Sequence, residues 1–261
     1  MTRVLLALLV LTLLLLTWRF LLWQPRPLPG VTRQQPLLIG HRGVREIRPE
    51  NTLAAFEYAF EAGLDGVEFD VQRTRDGHLV LFHDYQIEGQ QLSELTLQEV
   101  QALDERIPTL EQLFELAKDY PGTLLNVELK SESTGTDGLE RDAVAAIRAS
   151  GLADRVIVSS FNPVSLARVR LRANELRTGL LYAPDLPRYL RSGWLAGWLH
   201  VDALHPHESQ VTPRLLRRAR TRRVMLNTWT VNDPMRITSL HDRGVTAIMG
   251  DNPATLLANG R

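Results

Sequence analysis

The sequence contains no cysteine, which excludes disulfides, thiolate-bound metals and a cysteine nucleophile. Lysine is nearly missing too: of 30 basic residues only Lys118 and Lys130 are lysine. No charge of either sign is in excess, since 30 acidic residues balance the 30 basic ones. Bulk electrostatics therefore gives no reason to expect nucleic acid. Nor is there a low-complexity bias: 44% hydrophobic and 23% charged residues argue against a disordered or collagen-like chain. What is present is 261 residues, enough for one large domain or two small ones.

One stretch departs from that average. Residues 4–23 read VLLALLVLTLLLLTWRFLLW, about 30 Å as a helix and so the thickness of a bilayer core. Arg19 is its only charge and sits where it can snorkel, and Trp18 and Trp23 suit the lipid interface. A cleaved signal would be shorter and followed by small residues; here Gln24-Pro-Arg-Pro-Leu-Pro-Gly30 follows. The expectation is an uncleaved single-pass anchor over 1–24, in contact with the lipid bilayer through 4–23. Arg3 on one flank and Arg19, Arg26 and Arg33 on the other leave the side of the following domain open. Residues 25–36 read as a stiff Pro-rich linker. A chain beginning near Gln34 is then expected to be soluble and active, because the patterned sequence starts at Leu37.

From there short β-rich runs alternate with helical patterns. Strands are expected at 37–40, 66–71, 78–83, 124–130, 156–160, 178–182, 203–205, 224–230 and 246–249. Helices are expected at 52–62, 110–119, 139–149, 163–173, 213–222 and 234–242, the first capped by Asn51 or Thr52 and ended by Gly63. Such alternation implies parallel strands with helical crossovers. Nine strands are one too many for a (β/α)8 barrel. The second and third, however, are joined only by six residues containing Asp76-Gly77, a hairpin turn, where a parallel crossover needs about a dozen. The fold expected over 37–261 is therefore an α/β (β/α)8 TIM barrel with a β-hairpin insertion after strand two. A doubly wound sheet is the alternative, but no Gly-rich phosphate loop follows the first strand.

Barrel active sites lie at the C-terminal ends of the strands. There the sequence places His41-Arg42, Glu68, Asp70, Glu128 and Lys130, with Ser160-Phe161, His205 and Trp229 on later strands. Residues two apart on a strand share a face, so Glu68 and Asp70 point inward while Val67 and Phe69 point to the helices. Glu128 points inward by the same alternation. Three carboxylates without cysteine describe a site for a hard divalent cation, Mg²⁺ or Ca²⁺; a metal-free ion network with Lys130 and the arginines is the alternative. A two-residue turn at Asp76-Gly77 would set Asp70 opposite His83. His41 and His83, each ending an apolar β run, would then converge on the carboxylates. Two imidazoles beside a cation can carry out phosphodiester cleavage, one removing a proton and one giving a proton back.

His41-Arg42-Gly43, Pro49-Glu50-Asn51-Thr52, Gly66-Val-Glu68-Phe-Asp70-Val71, Thr74-Arg-Asp76-Gly77 and Phe82-His83-Asp84 together resemble the glycerophosphodiester phosphodiesterase family. The resemblance continues through Ile107-Pro-Thr-Leu110, Asn126-Val-Glu128-Leu-Lys130, Ser160-Phe161, Trp229-Thr-Val-Asn232 and Gly250-Asp251-Asn-Pro253, covering about 37–257. It implies a small-molecule phosphodiester substrate, hydrolysed to glycerol 3-phosphate and an alcohol after attack by the glycerol 2-hydroxyl. It further implies His41 and His83 as the acid–base pair and Glu68, Asp70 and Glu128 as metal ligands. Arg42 and Lys130 fall on phosphate-contacting positions, and Trp229 on a substrate-lining one. The segment after His83-Asp84 is short here, which bears on the alcohol accepted.

Two other functions stay open at this point: a lysophospholipase D-type activity and a non-catalytic ligand-binding barrel. A sphingomyelinase-like barrel fits less well, given the complete Pro49–Thr52 and Asn126–Lys130 motifs. Glu50 reads as a partner of Arg42 or as a helix-start charge. Six arginines between 214 and 223 read either as the solvated face of a barrel helix or as a contact for anionic lipid headgroups.

Overall fold

The computed structural model describes residues 2–28, 35–131 and 134–261. Eight parallel strands close into a barrel: β1 (Leu37–Gly40), β2 (Gly66–Arg73), β6 (Leu124–Leu129), β7 (Val156–Ser160), β8 (Arg177–Tyr182), β9 (Ala203–Pro206), β10 (Met225–Thr228) and β11 (Ala247–Gly250). β1 pairs with both β2 and β11, which completes the ring. β3 (Leu79–Leu81) lies antiparallel on β2, and β4 (Gln86–Ile87) with β5 (Gln90–Gln91) forms a small separate ribbon. This is the (β/α)8 barrel with a hairpin after the second strand.

Helices α2 (Leu53–Glu61), α3 (Leu97–Leu103), α4 (Leu110–Lys118), α5 (Leu139–Ser150), α6 (Pro163–Arg172), α7 (Ala196–Leu199), α8 (Pro213–Arg222), α9 (Pro234–Asp242) and α10 (Pro253–Asn259) surround it. Their starts are written locally. Thr52, Thr96, Thr109, Thr212, Asp233 and Asn252 each accept a first-turn amide, and proline opens α6, α8, α9 and α10. The outward side of β2 packs on α2, where Phe69 meets Phe56 edge-on with ring centroids 5.7 Å apart. Thus Val67, Phe69 and Val71 join the main core while Glu68 and Asp70 turn inward.

The hairpin register differs from expectation by one residue. Val71 faces Leu81 and Arg73 faces Leu79, so Asp70 stands opposite Phe82, whose amide donates to the Asp70 carbonyl. The loop holds three residues, not two. Thr74 and His78 close it, with Gly77 in the left-handed region at φ 96°. The Thr74 hydroxyl fixes this geometry by bonding both Asp76 and the His78 amide.

The N-terminal expectation also needs correction. The apolar run is helical as α1 (Thr2–Phe20), but the helix ends before Trp23. The 19-residue helix rises about 28 Å, a little under a roughly 30 Å bilayer core. Among the described residues no helix is long and apolar enough to cross a membrane. Trp23 is instead buried against the barrel and its indole N–H donates to the Val201 carbonyl at 2.8 Å. The described part of the linker is docked too, rather than spacing freely. The Arg26 guanidinium bonds the buried Asp202 carboxylate and the carbonyls of Asn174, Glu175 and Leu176, and Leu28 packs under the barrel with Ile39, Leu124 and Met225. Residues 29–34 lie outside the described residues. The docking place is understandable. Between β8 and β9 the outer layer has only the four-residue α7 and a 3-10 turn, and Trp23 fills that gap beside Gly197 and Val201.

Candidate active site

β2 and β6 pair in register, Glu68 beside Asn126 and Asp70 beside Glu128. The shared inward face therefore gathers Glu68, Asp70 and Glu128, each buried, with ligand oxygens all within 4.8 Å of one another. Burial, then the charges of Asp70 and Glu128, hold the Glu68 carboxyl well above the usual range. Burial, then Asp70, pushes Glu128 up to about 7. Two cations offset this only in part. Lys130 Nζ lies 3.4 Å from Glu128 and 3.7 Å from Asp70, and Arg42 Nε lies 3.3 Å from Asp70. A cluster of hard oxygen donors still short of positive charge fits a divalent cation.

The turn after β1 is tightly built. Arg42 and Gly43 are both left-handed, and a Cβ on Gly43 would lie 2.7 Å from Ala55 Cβ, so only glycine allows this approach to α2. The turn directs the Arg42 amide to Glu68 Oε2 at 3.0 Å and the Arg42 side chain to Glu50 at 2.8 Å. Glu50 is thus a partner of Arg42. It also places His41 beside the cluster, Nε2 3.9 Å from Glu68. His41 Nδ1 shares a 2.7 Å hydrogen bond with Asp251. Asp251 Oδ2 in turn accepts from Asn232 at 2.6 Å. Burial pushes the Asp251 pKa up, but the hydrogen bonds from His41 and Asn232 and the charges of His41 and Arg45 together outweigh it and hold the carboxyl below its usual range. An ionised Asp251 accepts the Nδ1 proton and leaves Nε2 free to face the cluster.

His83 lies just past the end of β3 and reaches the same mouth despite the altered register. Its Nδ1 bonds Asp84 at 2.7 Å. Burial lowers its pKa, and it feels the charges of Asp70, Lys130 and Arg42. Both histidines thus present Nε2 from a carboxylate-held ring. Lys130 also lies over the Tyr85 ring, 5.5 Å from its centroid. Trp229 follows β10 at the mouth, edge-on to Phe161 at 5.4 Å and to His207 at 5.5 Å, with its indole N–H on the His205 carbonyl. His205 itself is not at the mouth. It is fully buried inside the barrel, in space left by the missing side chain of Gly179, and burial lowers its pKa to about 3.

Three residues here have no site role in the sequence alone, where Asn51 is a candidate cap only. Asn51 donates to Asp70 Oδ2 and accepts from the Asp70 amide, so it orients a carboxylate while Thr52 caps α2. Asp251 and Asn232 orient His41. The signal for Asp251 is the barrel closure: Gly40 pairs with Gly250, so the residues following each are neighbours.

A buried carboxylate cluster, two carboxylate-held imidazoles and two cations at the C-terminal ends of the strands define a (β/α)8-barrel enzyme. The sequence profile of the glycerophosphoryl diester phosphodiesterase family matches residues 41–255. A glycerophosphodiester phosphodiesterase of Caldanaerobacter subterraneus subsp. tengcongensis is 37% identical over 239 residues, covering 85% of this chain and 96% of that one. The crystal structure of a glycerophosphodiester phosphodiesterase from Parabacteroides distasonis superposes with a TM-score of 0.75 at 28% identity, over 87% of this chain and 97% of that one. A phosphodiesterase from Oleispira antarctica, solved with the product sn-glycerol-3-phosphate, gives 0.72 at 27% identity, over 86% and 96%. The chain belongs to the glycerophosphoryl diester phosphodiesterase family and is a phosphoric diester hydrolase of that kind.

Proposed function

We propose that the enzyme splits glycerophosphodiesters into glycerol 3-phosphate and an alcohol, with Glu68, Asp70 and Glu128 holding a Mg²⁺ or Ca²⁺ ion and His41 and His83 moving the protons. The observation that carries this reading is the convergence of both imidazoles on one undercompensated carboxylate cluster. A cation bound there would supply positive charge against the phosphoryl oxygens. Arg42 and Lys130 flank the same cluster and orient the phosphate, and Trp229 with Phe161 forms a wall for the organic part. His41, oriented by Asp251, takes the proton of the attacking hydroxyl. His83 gives a proton to the departing alcohol oxygen. The product seen in the Oleispira antarctica relative supports the glycerol phosphate half.

The test separates the two histidines. Loss of a positioned acid or base costs about 10²–10⁴-fold in rate. With a p-nitrophenyl leaving group no acid is needed, so His83→Ala should recover much of its loss while His41→Ala stays impaired. Equal losses on both substrates would sink this division of roles. Chelation by EDTA should silence the enzyme and Mg²⁺ or Ca²⁺ restore it; full activity after exhaustive chelation would remove the cation.

We further propose that α1 attaches the enzyme to a membrane, which makes lysophospholipids a second substrate class to assay. The support is its all-round apolar surface, with leucines from Leu5 to Leu16 exposed. Flotation with lipid vesicles tests it. A full-length chain that stays soluble at its unprocessed mass would overturn it.

A further inference from the structure

The last turn of α1 does not leave the barrel at random. It lies on α7 and the inner end of α8. The Trp18 indole stacks on His200, with centroids 4.1 Å apart, and its N–H donates to the Trp198 carbonyl. The Arg19 guanidinium donates to the Trp194 carbonyl and lies over the Trp198 ring. Arg222 reaches across from α8 to the Phe20 carbonyl at 2.7 Å, its guanidinium 5.3 Å from the Phe20 ring. Gly197 permits the contact, since a Cβ there would meet the Arg19 carbonyl at 2.9 Å. An apolar helix therefore ends in a rim of Trp18, Trp194 and Tyr189, all exposed, which is the side-chain type found at lipid headgroup depth.

From this rim a row of charge runs along the barrel. α8 carries Arg214, Arg217, Arg218, Arg220 and Arg222, with Arg223 after it, while only Leu216 and Ala219 of the helix are buried. Among the described residues none of the six is in an ion pair. Barrel helices run opposite to their strands, so this row extends from the foot, where α1 docks, to the mouth. A solvated face would ordinarily mix charges of both signs.

We propose that the α8 arginine row lies on the headgroups of anionic phospholipids, continuing the membrane contact that α1 begins. The inference rests on the membrane reading of α1 and adds the partner's chemistry: a negatively charged bilayer surface, held by α8 and the Trp194–Tyr189 rim. Held in this way, the arginines bring the mouth end of α8 to the lipid surface, where a lipid-derived diester would be met.

The absence of cysteine allows a clean test with the full chain. Thr221, exposed on α8, is replaced by Cys and labelled with a fluorophore, which leaves every arginine in place. Glu111→Cys on α4, across the barrel, serves as the control label. Both are reconstituted in phosphatidylcholine vesicles with or without about 30% phosphatidylglycerol, and quenching by neutral acrylamide is measured. The expected result is about threefold weaker quenching at position 221 with the anionic lipid only, abolished by about 0.5 M salt or by Arg214→Gln, Arg217→Gln and Arg218→Gln together, and no change at position 111. A chain that floats with both vesicles but shows the same quenching in each keeps the anchor and overturns the headgroup contact. A chain that floats with neither overturns both.

Discussion

At the residue scale the site is a set of side chains held by other side chains. Asp251 touches no carboxylate of the cluster, yet it fixes the ring of His41, and Asn232 fixes Asp251. Asp251→Asn keeps the shape but removes the ionised acceptor, so kcat should fall roughly 10–100-fold with KM little changed. Asn51→Ala should act on Asp70 in the same way and weaken divalent-cation affinity, measured by calorimetry, by about 10-fold or more. The carboxylates make their own statement about pH. Glu128 has its pKa raised from 4.5 to about 7, so the folded cation-free protein binds that proton more tightly than the unfolded chain. This contribution is fully present below about 4.5 and is lost as pH rises through about 7. The cation-free protein should therefore show a falling melting temperature across that window. Added Mg²⁺ or Ca²⁺, or the Glu128→Gln change, should flatten the fall. A flat cation-free profile would contradict the charge strain assigned to the cluster.

At the element scale the N-terminal segment belongs to the barrel. Trp23→Ala should cost about 3–5 kcal/mol, because the indole fills the gap left by the short α7. Asp202 depends on the same segment. Burial pushes its pKa up, but Arg26 and Arg170 bring it below the usual range. Its stabilisation is thus present at neutral pH and lost as pH falls through that low folded value, and Arg26→Ala should move the loss to higher pH. A chain beginning near Gln34 lacks both contacts, so thermal unfolding should find it clearly less stable than the full chain; equal melting would show the docking to be idle. The sequence made most other elements readable, since period-two strands and capped, proline-started helices are local signals. Asp76-Gly77 misled the register because the Thr74 hydroxyl, not the dipeptide, sets the loop length. α3 is marked by Thr96-Leu-Gln-Glu99, a reciprocal cap, but its seven residues form too short a period to stand out between stronger patterns. Trp23 read as membrane-facing because its real partner, Val201, is 178 positions away. The carboxylates were legible because alternation alone gathers them; the role of Asp251 was not, because it exists only once the ring closes.

At the scale of the whole molecule that closure joins distant parts of the chain. β1 follows the N-terminal segment and β11 comes after residue 246, and the two meet edge to edge along Leu37–Gly40 and Ala247–Gly250. His41 donates its backbone amide to the Gly250 carbonyl at 2.9 Å and shares its ring proton with Asp251. During synthesis, then, the His41 imidazole waits through some two hundred residues for its partner. A nascent chain still lacking β11 has every carboxylate of the cluster and both histidines, yet the ring of His41 has no carboxylate to orient it. Cleavage ahead of residue 247 should therefore abolish activity although Glu68, Asp70, Glu128 and both histidines all stay on the remaining chain.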